Sequence, residues 1–294
     1  MSKKLVVLGG TGFLGRYICL AGLQQGFKVT SLSRSGRLTR NNIPVDAVSK
    51  LSQIQWREFD IFDRTSENRA KLAELLGDAD AVVHSLGAAT EAVPGYKKVV
   101  NSRIDSLGPV LGQIVCDKLR SPDGNPLEKK PTGASNSEES ALEKLNFESA
   151  KILADEFAAA VKGENASTKD AAAATSASRP FVYISADEQH AISDEYIRTK
   201  RLAEHYVGTR PELRGVYLRP GFMVDSKTGA GASLCESTVR DGLGMLFKAR
   251  ERVLGGPAVL DVRDVAAAAI EAVADPLVQG PIGLSALKKY KDSM

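Results

Sequence analysis

The sequence predicts an α/β fold, a doubly wound parallel sheet, on three observations. Short apolar strand patterns alternate with helical ones as far as Pro220. The first strand pattern, Leu5-Val6-Val7-Leu8, runs straight into a glycine-rich turn, Gly9-Gly10-Thr11-Gly12-Phe13-Leu14-Gly15. A helical pattern follows from about Phe13 to Gln25, with Gly26 where a C-cap falls.

That turn is how a Rossmann fold opens its dinucleotide site. Glycine lets the backbone approach a pyrophosphate with no Cβ in the way, and the helix aims its N-terminal amides and positive dipole end at the phosphates. Gly9, Gly12 and Gly15 are spaced G-x-x-G-x-x-G, the arrangement of short-chain dehydrogenase/reductases. Gly9, Thr11, Gly12, Phe13, Leu14 and Gly15 are therefore the candidate pyrophosphate residues.

The remaining elements follow in order. Phe27 to Leu32 reads as strand two, Ile54 to Phe59 as strand three, and Ala79 to Ser85 as strand four after a short helix around Arg69 to Leu76. Between Gly87 and about Ser140 clean periodicity is lost, and Ser121 to Ser140 is rich in Pro, Gly, Ser, Asn and charge, which predicts an exposed insertion. A helix resumes from about Glu138 to Val161, with Leu142, Leu145, Ile152, Leu153 and Phe157 roughly on one face. Lys162 to Ser178, including four consecutive alanines from Ala171, predicts a surface loop. Phe181 to Ser185 and Val216 to Arg219 read as strands five and six, flanking a helix from about Asp194 to Val207 for which Ser193 is the N-cap candidate. Two further helical patterns cover about Leu234 to Arg250 and Val262 to Ala274, the second with Asp261 as N-cap. The expected organisation is a Rossmann domain over 1–221, with low-complexity insertions near 88–140 and 162–178. Residues 222–294 form a small C-terminal helical lobe for substrate or partner, packed over the carboxyl edge of the sheet.

Bulk composition narrows the function. The chain has 294 residues, 43% hydrophobic and 26% charged, with a net charge of +3, too small to argue for nucleic acid. Cys19, Cys116 and Cys235 are far apart and lack C-x-x-C spacing, which fits a reducing compartment and argues against disulfides and zinc. His84, His190 and His205 form no ligand cluster, so no metal is expected. No apolar run approaches the roughly 20 residues of a membrane span, and the first strand starts near Lys4, leaving no room for a cleavable presequence. The default compartment is the cytosol, or an organelle entered on internal information. Lys288, Lys289 and Lys291 read as a solvated helix end first, and as a peripheral contact with an anionic membrane second.

The candidate catalytic residues lie on the helix after strand five. Tyr196 and Lys200 are four positions apart and so share a face. A nearby cation stabilises a phenolate and lowers a phenol pKa from about 10. Tyr196 can then exchange a proton with a carbonyl or alcohol while a nicotinamide exchanges the hydride. The alternative is a solvent-facing Tyr and Lys. Ser185, ending strand five, either donates to the same substrate oxygen or shapes the pocket.

Strand two ends in Ser33-Arg34-Ser35-Gly36-Arg37, and no carboxylate stands between Thr30 and Arg40 to hold a ribose 2′-hydroxyl. Arg34, supported by Ser33 and Arg37, could neutralise a 2′-phosphate, which favours NADP(H) over NAD(H); otherwise these arginines are a solvated loop. Asp60 and Ile61, just past strand three, stand where an acidic side chain meets the adenine amino group, or Asp60 is a turn residue. Ser85, Leu86 and Gly87 end strand four where a small turn would line the nicotinamide ribose, and His84 reads as a core histidine.

Taken together, GGTGFLG (9–15), VVHSLG (82–87), NFESAKILAD (146–155), FVYISA (181–186), YIRTK (196–200) and LRPGFMVD (218–225) resemble the atypical or extended short-chain dehydrogenase/reductases. Arg219-Pro220-Gly221 matches that family's turn after strand six, which closes over the nicotinamide, and so Pro220 and Gly221 join the cofactor candidates, as does Lys200 on the nicotinamide ribose. Within the superfamily, SLSRSG, VVHSLG followed by a long insertion, and the YISAD and LRPGFM blocks are similar to the fungal mitochondrial proteins of coenzyme Q (ubiquinone) biosynthesis. The NADPH-binding accessory subunits of complex I, of similar plan, are a more distant resemblance. The resemblance implies a protein on the matrix side of the inner mitochondrial membrane, associated with other ubiquinone biosynthesis proteins and acting on a small apolar, quinone-like substrate. It equally admits a catalytically silent, nucleotide-bound scaffold, and more remotely a nucleotide-sugar epimerase or dehydratase.

Overall fold

Alternation within each strand decides how the sheet is buried. Successive side chains point to opposite faces, so Leu5 and Val7 join one apolar cluster while Val6 and Leu8 join the other. Strands covered on both faces can afford no polar side, which is why the strand sequences read as nearly continuous apolar runs.

A computed structural model describes residues 2–38, 48–87, 141–167, 178–188, 194–224 and 259–289. The elements in chain order are β1 (Lys4–Leu8), α1 (Gly15–Gln24), β2 (Lys28–Ser33), α2 (Val48–Leu51), β3 (Gln55–Glu58), α3 (Ser66–Gly77) and β4 (Ala81–His84). A π turn over Glu143–Glu148 then leads into α4 (Ser149–Ser167), β5 (Arg179–Ile184), α5 (Asp194–Gly208) and β6 (Leu213–Leu218). Last come β7 (Phe222–Val224), β8 (Val259–Asp261), α6 (Val262–Ala274), β9 (Gly280–Ile282) and α7 (Leu284–Leu287).

Seven strands form one parallel sheet in the order β3-β2-β1-β4-β5-β6-β9, and β7 pairs with β8 as a separate two-stranded ribbon. The order reverses between β1 and β4, and it is outside the carboxyl ends of strands at such a switch point that α/β sheets bind ligands. α1 and α6 cover one face, burying Ile18, Val265 and Ile270 against Leu5, Val83 and Val182. α3, α4 and α5 cover the other, with Leu72, Phe157 and Val207 against Val82 and Phe181. Gly26 follows α1 at φ +80°, and Asp261 caps α6 by accepting from the Arg263 N–H at 2.8 Å, both as the sequence predicts.

The expected separate lobe from residue 222 is corrected by these contacts. α6 lies in the same core as α1, and β9 extends the main sheet beside β6, so both belong to the Rossmann unit. Buried Arg214 of β6 ties them in. Its Nη1 donates to the Ala272 and Val278 carbonyls and its Nη2 to that of Val273 at 3.1 Å, satisfying the carbonyl end of α6. β9 carries no strand signal because Gly280-Pro281-Ile282 contains two breakers; proline is tolerated there because β9 is an edge strand. The loop expected from Lys162 begins instead as helix, since α4 runs on to Ser167. The insertion at 88–140, the remainder of that loop to residue 177, Ser193 and the helix at 234–250 lie outside the described residues.

Candidate functional site

The glycine turn is built by close approach. Gly9 sits at φ +85° and donates its N–H to the Leu32 carbonyl, and Gly12 N–H returns to the Gly9 carbonyl at 2.9 Å. A Cβ on Gly15 would lie against the Gly9 carbonyl and 2.7 Å from Ser85 Oγ, so only glycine lets α1 start this close to the turn. Leu14, the N-cap, offers no side-chain oxygen, and the first turn of α1 has no acidic residue. The helix thus turns its positive end to the crevice with no side-chain cap, its Arg16 and Tyr17 N–H groups bonded to the Gly12 and Leu14 carbonyls at 3.2 and 3.0 Å. Thr11 is half-buried, Gly12 and Phe13 are exposed at the mouth, and Leu14 packs inward.

At the adenosine end, Arg34 and Arg37 are exposed. The Ser33 hydroxyl accepts from the Gly36 N–H at 3.2 Å, and Ser35 Oγ donates to the Arg37 carbonyl and stands 3.5 Å from Thr11 Oγ1, joining the two loops. Gly36, at φ +57°, lies on the backbone of Glu58, so β3 brings a carboxylate-bearing residue beside a turn whose own sequence lacks one. Asp60 Oδ1 accepts from the Phe62 N–H at 3.0 Å, the turn role, while Ile61 is buried in the core beside it.

At the opposite end, Ser85 Oγ donates to the Leu8 and Gly9 carbonyls at 3.2 and 3.3 Å and pins β4 to the glycine turn. Leu86 is half-buried and Gly87 exposed. The space that a Cβ on Gly87 would fill is 3.0 Å from Lys200 Nζ and 3.4 Å from Asn146 Oδ1. Lys200 of α5 thus reaches the end of β4. Tyr196 is 7% exposed and Lys200 2%. Lys200 Nζ donates to the Ile184 carbonyl at 2.9 Å and lies 4.9 Å from the ring centre of Tyr183 and 5.6 Å from that of Tyr196. Burial pushes its pKa down to about 7, opposed by the charge of Glu204.

Around Lys200 runs a neutral polar network. Asn146 Nδ2 donates to Thr199 Oγ1 at 3.1 Å, Thr199 Oγ1 donates to the Tyr196 carbonyl, and Tyr183 OH donates to the Asn146 carbonyl at 2.9 Å. His84 Nε2 is 2.8 Å from Ser149 Oγ, and burial, with the charge of Lys200, drives its pKa down to about 3. His84 is the core histidine the sequence suggests, with one nitrogen bonded.

Ser185 is placed differently from its expected donor role. Its hydroxyl donates to Glu204 Oε1 at 2.5 Å and accepts from Arg201 Nη1 at 2.9 Å. Glu204, buried, also takes two bonds from Arg219 and one from Arg201. The hydroxyl's proton is committed to a carboxylate, so in this arrangement Ser185 has none to give to a substrate oxygen. In the turn after β6, Pro220 is buried and accepts from the Asp187 N–H at 3.0 Å, with Gly221 half-buried beyond it.

Sequence reading gave no individual site role to Asn146, Thr199, Arg201, Glu204 or Arg219. Glu204 had a signal: it lies four positions after Lys200 on the face that already holds Tyr196. Asn146 is the polar member of a row otherwise made by Leu142, Leu145 and Ile152.

A parallel sheet ordered 3-2-1-4-5-6, a glycine turn leading into a helix with no side-chain cap, and Lys200 at the end of β4 with Tyr196 one turn before it on the same helix define a Rossmann fold of the short-chain dehydrogenase/reductase class. Residues 5–100 match the NAD dependent epimerase/dehydratase family. The chain is 34% identical over 234 residues to MIOREX complex component 2 of Saccharomyces cerevisiae, covering 78% of this chain and 76% of that protein. It belongs with that protein to the short-chain dehydrogenase/reductase family, the epimerase/dehydratase match being confined to residues 5–100. Among solved structures, an oxidoreductase of the short chain dehydrogenase/reductase family from Burkholderia thailandensis is similar at TM-score 0.56 and 16% identity, with 98% of this chain and 94% of that one covered. The Bordetella bronchiseptica enzyme WbmH, solved with NAD+, is similar at TM-score 0.52 and 16% identity, covering 96% and 75%. At such identities the likeness concerns the fold. Among the described residues, no helix is long and apolar enough to cross a membrane, and no group of His, Cys, Asp and Glu could hold a metal ion.

Proposed function

We propose that this protein binds NADP(H) in preference to NAD(H) and acts as a carbonyl/alcohol oxidoreductase on a quinone intermediate of ubiquinone biosynthesis, in the mitochondrion. The single observation that carries the catalytic half is the placement of Lys200 Nζ, buried beside Tyr196 and facing the end of β4 at Gly87. A bound nicotinamide cofactor would supply the hydride. Tyr196 would hold the proton exchanged with the substrate oxygen. Lys200, whose pKa lies near neutrality, would favour the phenolate and meet the nicotinamide ribose. With Ser185 committed to Glu204, Tyr196 is the protein's own proton donor to that oxygen. The cofactor preference rests on exposed Arg34 and Arg37, and the quinone substrate and the mitochondrial setting on the sequence blocks similar to the fungal coenzyme Q proteins.

The test is direct. Titration with NADPH and NADH should show tighter binding of NADPH, with Arg34→Ala closing the gap. Tyr196→Phe should abolish oxidation of NADPH by quinone intermediates while NADPH binding survives. Unchanged turnover in Tyr196→Phe would remove the mechanism. A second reading is favoured by the similarity to a component of a named complex: a nucleotide-bound scaffold, in which the nucleotide stabilises the native state and other proteins are the partners. It predicts that Tyr196→Phe is fully functional in cells.

A further inference from the structure

The π turn over Glu143–Glu148 is the irregular element closest to the site, and its irregularity is held from outside. The Ser149 N–H bonds five residues back, to the Lys144 carbonyl, and so leaves the Leu145 carbonyl without the amide that an α-helix would give it. The Ser149 hydroxyl fills that gap, donating to Leu145 at 2.7 Å. A hydroxyl has one proton, and this one is spent. At the 2.8 Å contact with His84, therefore, Ser149 Oγ accepts and His84 Nε2–H donates, which fixes the tautomer and leaves Nδ1 as a buried lone pair with no partner among the described residues. The next carbonyl, Asn146, accepts from Tyr183 OH. Adjacent strands β4 and β5 thus each send one side chain to hold the turn.

What the turn presents is Asn146, whose amide donates to Thr199 and whose Oδ1 shares with Lys200 Nζ the space over Gly87. We propose that the His84–Ser149 hydrogen bond is a latch, and that His84 and Ser149 are positioning residues that hold Asn146 at the nicotinamide-ribose end of the nucleotide site. A regular helix through this segment would close the carbonyl gap that Ser149 now fills and rotate every preceding residue by most of 100°, the turn per residue of a 3.6-residue helix. Asn146 would leave the space over Gly87. The proposal deepens the nucleotide reading above and rests on it for the ligand, while the latch itself is a property of the free protein.

Two measurements on the full chain decide it. The first is calorimetry with NADPH and with its adenosine half, 2′,5′-ADP, on wild type, Ser149→Ala, His84→Asn, His84→Gln and Asn146→Ala. Gln places an amide N–H near the reach of His Nε2 and should rescue; Asn is too short. Ser149→Ala, His84→Asn and Asn146→Ala should each weaken NADPH about three- to tenfold, the worth of one neutral hydrogen bond. Binding of 2′,5′-ADP should be unchanged, and His84→Gln should match wild type. Adding Ser149→Ala to Asn146→Ala should cost nothing more, because the latch acts through that side chain. The second is amide hydrogen exchange without ligand: 141–149 should exchange faster in Ser149→Ala and His84→Asn but not in His84→Gln, with α3 unaffected. Equal loss of both ligands, additivity with Asn146→Ala, or unaltered exchange would overturn the latch. Wild type that ignores NADPH would overturn the nucleotide reading, and the exchange measurement would then decide the latch alone.

Discussion

His84 makes the acid stability of this fold predictable. The imidazole is wholly buried, its Nε2–H is given to Ser149, and its folded-state pKa lies at about 3 against an ordinary value of 6.5. The larger cause is loss of hydration; the Lys200 charge adds to it. Between those two values the unfolded chain holds a proton that the native chain refuses, so acid favours unfolding. The penalty begins as pH falls below 6.5, grows by about 1.4 kcal/mol per unit, and levels off near pH 3. At pH 5 it amounts to about 2 kcal/mol. His84→Gln keeps a donor to Ser149 and has nothing to titrate. Urea unfolding of both proteins at pH 7 and pH 5 should show the variant losing about 2 kcal/mol less than wild type across that interval. Lys200, with a folded pKa of about 7, titrates at the upper edge of this window in both proteins and so cancels in the difference. Parallel losses would mean that His84 takes up its proton in the native state, and would refute the assignment of a desolvated, neutral ring.

Lys200 acts at the other end of the scale: its folded pKa of about 7 lies below the ordinary 10.5, so stability should rise with pH between the two, and Lys200→Met should flatten that limb in urea titrations. Arg214→Met leaves the Ala272, Val273 and Val278 carbonyls without their donor and should lower unfolding free energy by about 2–4 kcal/mol, read by the same method. Gly15→Ala places a methyl 2.8 Å from Gly10 Cα and against the Gly9 carbonyl, so nucleotide titration heats should vanish while far-UV circular dichroism still reports the sheet and helices.

The legible parts of this protein are those where one local rule decides. Leu5 to Leu8 followed by spaced glycines admits few structures other than strand, turn and helix, and Asp261 ahead of an alanine-rich amphipathic run reads as a helix start because a carboxylate there has an orphan N–H to accept. Tyr196 and Lys200 were legible for the same reason, since four positions on a helix put them on one face. Whatever depended on partners far along the chain was not legible. Ser185 ends β5 in the position of a donor, but whether its proton goes to a substrate or inward depends on Glu204, and Glu204 is held there by Arg219 from another strand. β9 contributes three residues that include a glycine and a proline; only the free edge of β6 makes them a strand. The π turn leaves no trace in the hydrophobic pattern, because Leu142 and Leu145 fall on an apolar face in either helix geometry.

Two polar regions among the described residues bear unequally on the choice between enzyme and scaffold. Glu204 with Arg201 and Arg219 is a structural answer to its own charge: the carboxylate is fully bonded, and the cluster ties α5 to the ends of β5 and β6 whether or not a ligand binds. Lys200 is another matter. Its one bonded partner among those described is the Ile184 carbonyl, and its burial is costly enough to bring its pKa to about 7, so at neutral pH it lowers stability relative to an amine in water. A scaffold that needed only a stable sheet would be served as well by an apolar side chain at that position. A buried amine aimed at the end of β4, beside a phenol and an amide, would recover that cost on meeting a ribose hydroxyl or a substrate oxygen, which is the physical ground for proposing the oxidoreductase first.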